Sequence, residues 1–373
     1  MEENMINQEN TTETIVQAQS QMQSQMQTQD VVMEKVVVVE KKEKKSKRRL
    51  FLLIFLLMMT GLLLSTSTYA WFTANQTVTV GTINVNVEAQ NGIQLSADGT
   101  NWKSIVQTTD LKGVHSTTYT SSVNQIPDTL EPVSTAGNID ASGMMEMFYG
   151  VVGSNSDGEY ILTATKDTEV EGTTGKFIAF DLFFRVDAAT DIFLTTNSGV
   201  TTQDATDTGI KNASRIAFVV LGNTAAGSSI SDIQGLNAGT SAQKYIWEPN
   251  YDVHTAAAVA HAFDTYGHTT TETGGALVPY SGVKAEIVSD NDVVVQQATP
   301  TAYSTLYADY FANVTPDYTT IAGFSTNQQI FSLQAGITKV RIYMWIEGQD
   351  VDCENNASGG TIDYNLQITT VSE

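Results

Sequence analysis

The chain has 373 residues, 41% of them hydrophobic and 9% aromatic, enough to bury a substantial core in one large or two medium domains. Residues 1–70 hold as many basic as acidic residues, so the whole net charge of −22 lies in residues 71–373. A body this acidic repels phosphates and excludes nucleic acid as a partner, and the single cysteine, Cys353, excludes an intramolecular disulfide and a zinc site built on several thiolates.

Residues 1–30 are polar, rich in Gln, Asn, Thr and Glu, and read as a disordered leader. The basic run from Lys41 to Arg49 then abuts the apolar stretch Leu50 to Leu64, which is followed by Ser65-Thr66-Ser67-Thr68-Tyr69-Ala70. Basic flank, short apolar segment and small residues, in that order, are the pattern of a secretory signal. Thr68 and Ala70 stand at the −3 and −1 positions, and Trp71 is the first residue after cleavage. As a helix the apolar run would be about 22 Å long, short of a hydrocarbon core of ~30 Å. Left uncleaved, it would act as a signal-anchor helix. Either way the basic flank stays inside and the body goes outside, secreted or displayed at the cell surface. The organisation expected is a leader over 1–49, a signal or transmembrane helix over 50–70, and an extracellular domain over 71–373.

From Phe72 onward the pattern has period two. Val78 and Val80 alternate with threonines, Ile83, Val85 and Val87 alternate with asparagines, and the phase slips at Gly81-Thr82 as a β-bulge would make it. Asp98-Gly99 is a hairpin-turn signal. Further alternation runs through Ile178, Phe180, Leu182, Phe184 and Val186, with Asp181 and Arg185 on the other face. It recurs at Ile216 to Val220, Val340 to Ile346 and Ile362 to Ile368. Helix is expected only around His254 to Phe263. One buried and one wet face per strand predicts an all-β fold, an antiparallel β-sandwich. The polar stretches Thr195–Asn212, Asn223–Gln243 and Thr265–Gly275 read as long loop insertions at its ends.

Thr68-Tyr69-Ala70-Trp71-Phe72-Thr73, followed by Val80-Gly81-Thr82-Ile83-Asn84-Val85, resembles Gram-positive proteins exported with SipW-type signal peptides, the superfamily of the TasA and camelysin biofilm matrix proteins. The stretch from Trp345 to Cys353, then Gly359-Gly360-Thr361-Ile362, also resembles clostridial members of that group. The resemblance implies a jelly-roll-like sandwich, removal of the signal by a dedicated membrane signal peptidase, and a structural role in the extracellular matrix. It further implies that the first strand is donated to the next subunit, with Val78, Val80, Ile83, Val85 and Val87 as the candidate donor positions and a second copy or another matrix protein as partner. A strand freed at a chain end either pairs in its own sheet or with a neighbour's edge, and the residues favour the first.

Catalytic motifs are missing from the pattern. His254, His261 and His268 recur every seven residues, two helical turns or about 10 Å apart, too far for ligands of one metal. No His-Glu-x-x-His, Gly-x-Ser-x-Gly or phosphate-binding glycine loop occurs, so neither enzyme nor nucleotide binding is expected. Calcium is the one cofactor with candidate ligands, at Asp350 and Asp352 and at Asp290 and Asp292, because hard oxygens in loops suit it. Solvated turns would explain the same residues. A carbohydrate-binding or adhesive module is the second functional reading; it requires Trp102, Trp247 and Trp345 to share an exposed face. A secreted hydrolase is the third.

Overall fold

The computed structural model of the chain describes residues 54–55, 77–87, 92–204, 208–288, 293–295, 301–353 and 359–371. The chain divides into two units, Met1–Thr66 and Ser67–Glu373. In the first, Ile54 and Phe55 are helical, and no helix among the described residues is long and apolar enough to cross a membrane. The cleavage positions Thr68, Ala70 and Trp71 lie outside the described residues.

The second unit is built from strands β1 (Val78–Val87), β2 (Gln94–Ser96), β3 (Ile105–Gln107), β4 (Thr129–Leu130), β5 (Met147–Ser154), β6 (Tyr160–Asp167), β7 (Ile178–Val186), β8 (Thr190–Leu194) and β9 (Gly199–Thr202). These are followed by β10 (Ser214–Thr224), β11 (Gln243–Pro249), β12 (Tyr280–Val283), β13 (Phe311–Val314), β14 (Tyr318–Thr320), β15 (Gln328–Leu333), β16 (Gly336–Ile346) and β17 (Thr361–Thr369). Helices α1 (Thr108–Lys112), α2 (Ile230–Gln234), α3 (Ala256–Tyr266) and α4 (Tyr303–Leu306) lie in the connections. Helix α3 occupies the alanine-rich segment where helix was expected. Thr255 caps it by accepting from the Ala258 amide at 3.1 Å, and Gly267 ends it at φ 68°.

One sheet has seven strands in the order β15-β8-β17-β1-β3, with β4 also on β1 and β9 also on β17. The other has six in the order β14-β11-β10-β16-β7-β2. Their facing sides share one core, to which β1, β8 and β17 contribute Ile83, Val85, Ile192 and Leu366, and β7, β10 and β16 contribute Phe180, Phe218 and Ile342. The chain is therefore mostly β, with two sheets packed on a common core. The sheets are mixed rather than purely antiparallel, since β1 runs parallel to β17 and β11 parallel to β14. Neither pair is joined by a tight turn, so nothing in the connection forces opposite directions.

The wet outer face expected for every strand holds for β17, whose burial alternates, but not for β7 or β16. Strand β16 is buried at every position. A further layer covers that side of the six-stranded sheet: Val133, Met145, Met147, Tyr280 and Val314 pack on Ala179, Val219, Tyr343 and Trp345. The Asp98-Gly99 turn is present, with Gly99 at φ 71° and the Asp98 carboxylate accepting from the amides of Thr100 and Asn101 at 2.8 and 2.7 Å.

Candidate functional site

The predicted donor strand β1 is seated in the interior of the seven-stranded sheet of its own chain. Along one side it pairs with β17, Val85 opposite Leu366 and Val87 opposite Ile368. Along the other it meets β4 at Val78–Thr79 and β3 at Asn84–Asn86. The phase slip in its sequence is a bulge: between the pairs Val80–Ile362 and Ile83–Tyr364, two residues, Gly81 and Thr82, oppose the single Asp363. A Cβ at Gly81 would stand 2.5 Å from the Asp363 carboxylate and 2.8 Å from the Gln203 amide, so a larger residue would have to push these side chains aside. Of the five candidate positions, Val78, Ile83, Val85 and Val87 are buried in the common core, and Val80 packs partly against it. Each fully buried valine or isoleucine contributes about 1.5–3 kcal/mol, so the apolar face is what holds β1 in place. Withdrawing β1 would open a slot with bare backbone of β17 on one wall and of β3 and β4 on the other.

Asp350 and Asp352 do come together, but in a buried ionic centre rather than a solvated turn; they are 5% and 2% exposed. Arg215 enters from β10, fully buried, and its Nη2 donates to Asp350 and lies 3.0 Å from Glu248 Oε1. Nη1 donates to the carbonyls of Asn212 and Ser214, both at 3.0 Å. His254 Nδ1 lies 2.8 Å from Asp352 Oδ2, just ahead of α3. Glu347, beyond the end of β16, accepts from Trp345 Nε1 and from the Gln349 amide, each at 3.0 Å.

Four carboxylates thus face one guanidinium and one imidazole. Burial pushes Glu347 up to about 7 and raises Glu248 and Asp352 as well. Burial opposes the positive charge of His254, yet its hydrogen bond to Asp352 outweighs that and raises it. The carboxylate oxygens that would have coordinated calcium are engaged by Arg215 and His254. Among the described residues no group of three or more His, Cys, Asp or Glu side chains is arranged to hold a metal ion. Asp290 and Asp292 lie outside the described residues.

The other candidates separate. Trp247 and Trp345 are fully buried, in the common core and in the covering layer respectively, while Trp102 is partly buried beside Arg185. They share no exposed face. His261 stacks on Tyr266, away from the partner that holds His254, and Cys353 is buried in the common core. Sequence reasoning missed Arg215, Glu248 and Glu347. The available signal was a charge inside an apolar strand, Arg215 beside Ile216, which a sheet tolerates only where a counter-charge is buried with it. No family model, curated protein or solved structure matches the chain.

Proposed function

We propose that this is an exported structural protein of the cell surface or extracellular matrix, a jelly-roll-like sandwich that associates with copies of itself through β1. The observation that carries the reading is the seat of β1: a strand at the start of the body fills the interior of a sheet, joined to the remainder through residues 88–91. Such a strand closes its own sheet in the isolated chain, and the same slot accepts the identical strand from a neighbour with every hydrogen bond and apolar contact preserved. The leader of basic, apolar and small residues supplies export, with a membrane signal peptidase as transient partner. The acidic body suits a protein kept dispersed until assembly. The carbohydrate reading based on the tryptophans loses support because Trp247 and Trp345 are buried.

Mass spectrometry of the N-terminus in the cell-associated and released fractions tests the proposal. A released form that starts at Trp71 or Phe72 is expected, since cleavage frees the segment before β1. Full-length chain confined to membranes would end the assembly reading and leave a single-pass display protein.

A further inference from the structure

A second buried ionic group lies not in the sheet that seats β1 but on the six-stranded sheet, on the face turned away from the common core. Asp181 on β7 is the register partner of Arg341 on β16, and Lys339 precedes Arg341 by two residues on the same face. Arg341 Nη1 donates to Asp181 Oδ1 at 2.7 Å, while Asp181 Oδ2 accepts from the Tyr119 hydroxyl at 2.7 Å and lies 3.2 Å from Lys339 Nζ. Glu169 completes the group, accepting from Arg341 Nε at 2.9 Å and from the Tyr343 hydroxyl at 2.6 Å. Two cations and two carboxylates make it neutral. Apolar side chains would fill such a face with equal stability or better, so the ion pairs are weak candidates for a purely stabilising role.

A cavity of about 220 Å³ opens on this group, with Tyr119, Asp181, Lys339 and Arg341 in its wall and Met144 and Leu236 on its apolar side. Counting hydrogen-bond capacity shows what it offers. Lys339 donates to the Tyr119 hydroxyl and the Gln234 carbonyl and lies 3.2 Å from Asp181 Oδ2 as an ion pair, and Gln234 Nε2 gives both of its protons to the carbonyls of Asp98 and Thr118. Arg341 places Nη2 on Glu169 and on the Val123 carbonyl. Among the described residues Arg341 Nη1 and Asp181 Oδ1 bond only each other, which leaves one proton on the first and one lone pair on the second.

A hydroxyl is the group that accepts from the first while donating to the second. A charged ligand gains no net attraction from a neutral group, and the volume is below the ~300 Å³ of a drug-sized site. We propose that this cavity binds one neutral sugar unit, with a single hydroxyl bridging Arg341 and Asp181 and the C–H face of the ring against Met144 and Leu236. The inference is independent of assembly through β1.

Saturation-transfer NMR and calorimetry on the purified full chain test it, using glucose, galactose, mannose and N-acetylglucosamine as probes and glucuronate and glycine as charged controls. One or more of the neutral sugars binds with a millimolar Kd. Ser142→Trp, at the exposed rim of the cavity, weakens that binding at least tenfold and leaves the melting temperature unchanged. Arg341→Lys, which removes the bridging N–H, abolishes it in whatever fraction remains folded. Absence of binding by all four sugars overturns the proposal. So does tighter binding of either control, or sugar binding that Ser142→Trp leaves intact.

Discussion

Replacing Arg215 by Met leaves a side chain of similar length in a fully buried position and removes the one guanidinium that faces Glu248 and Asp350. Breaking a buried ion pair from one side costs about 3–5 kcal/mol, because the remaining charge is neither solvated nor paired. At pH 8 the loss should therefore reach that range. At lower pH Glu248, which burial raises, takes up a proton, and the cost of stranding it falls by about 1.4 kcal/mol for each pH unit below its raised pKa. Most of the loss is then recovered by pH 5. Adding Glu248→Gln to Arg215→Met should restore part of the stability at pH 8, since one stranded charge is gone. Urea unfolding followed by tryptophan fluorescence at pH 5 and pH 8 measures this directly, because Trp247 and Trp345 are both fully buried and report the core. A loss below about 1 kcal/mol at pH 8, or an equal loss at both pH values, would refute a charge-paired centre.

The unmodified chain should lose stability as pH rises. Glu347, held at about 7 against an ordinary 4.5, binds its proton more tightly when folded, so roughly 3 kcal/mol is lost between those values; His254, also raised, adds a loss in the same direction above its ordinary 6.5. Thermal melts at pH 6 and pH 9 should show the lower midpoint at pH 9, and equal midpoints would contradict the burial of Glu347 as an acid. Gly81→Val should destabilise the monomer by about 1–3 kcal/mol, because its side chain meets the Asp363 carboxylate at the bulge; a neutral effect in denaturant titration would mean that the bulge is not formed. Leu366→Ala, in the core beside Val85 of β1, should cost about 2–5 kcal/mol by the same assay, and less than 1 kcal/mol would mean that the two sheets do not pack there. Millimolar calcium should leave the melting temperature unchanged if Asp350 and Asp352 are held by Arg215 and His254, whereas a rise of several degrees would show an ion bound in the fold.

Strands β1, β7, β10, β16 and β17 were legible because their period-two pattern is local, whereas β9, at Gly199–Thr202, lies inside a stretch expected to be a loop. Phe180, Leu182 and Phe184 face the core whatever the register of β7, and the slip at Gly81-Thr82 marked the bulge without any knowledge of β17. The outer face of β7 was misread for the opposite reason. Asp181 looks solvated until Arg341 is placed opposite it, and that placement depends on a pairing 160 residues away. The same limit hid the buried centre, since Arg215, Glu248, His254 and Asp352 come from four separate segments. Strand β5 was missed because Met147-Phe148-Tyr149-Gly150 lacks alternation, being buried through its first half before it emerges at Val151.

Assembly through β1 is tested most directly by a disulfide across its seat. Asn84 and Asn365 are register partners on β1 and β17 and are half-buried, so Asn84→Cys with Asn365→Cys, in a chain where Cys353→Ala removes the native thiol, can be oxidised and read on a non-reducing gel. In concentrated released protein, strand exchange predicts a ladder of covalent oligomers alongside the internally linked monomer. A single internally linked monomer at every concentration would contradict it and leave β1 as an ordinary strand of its own sheet.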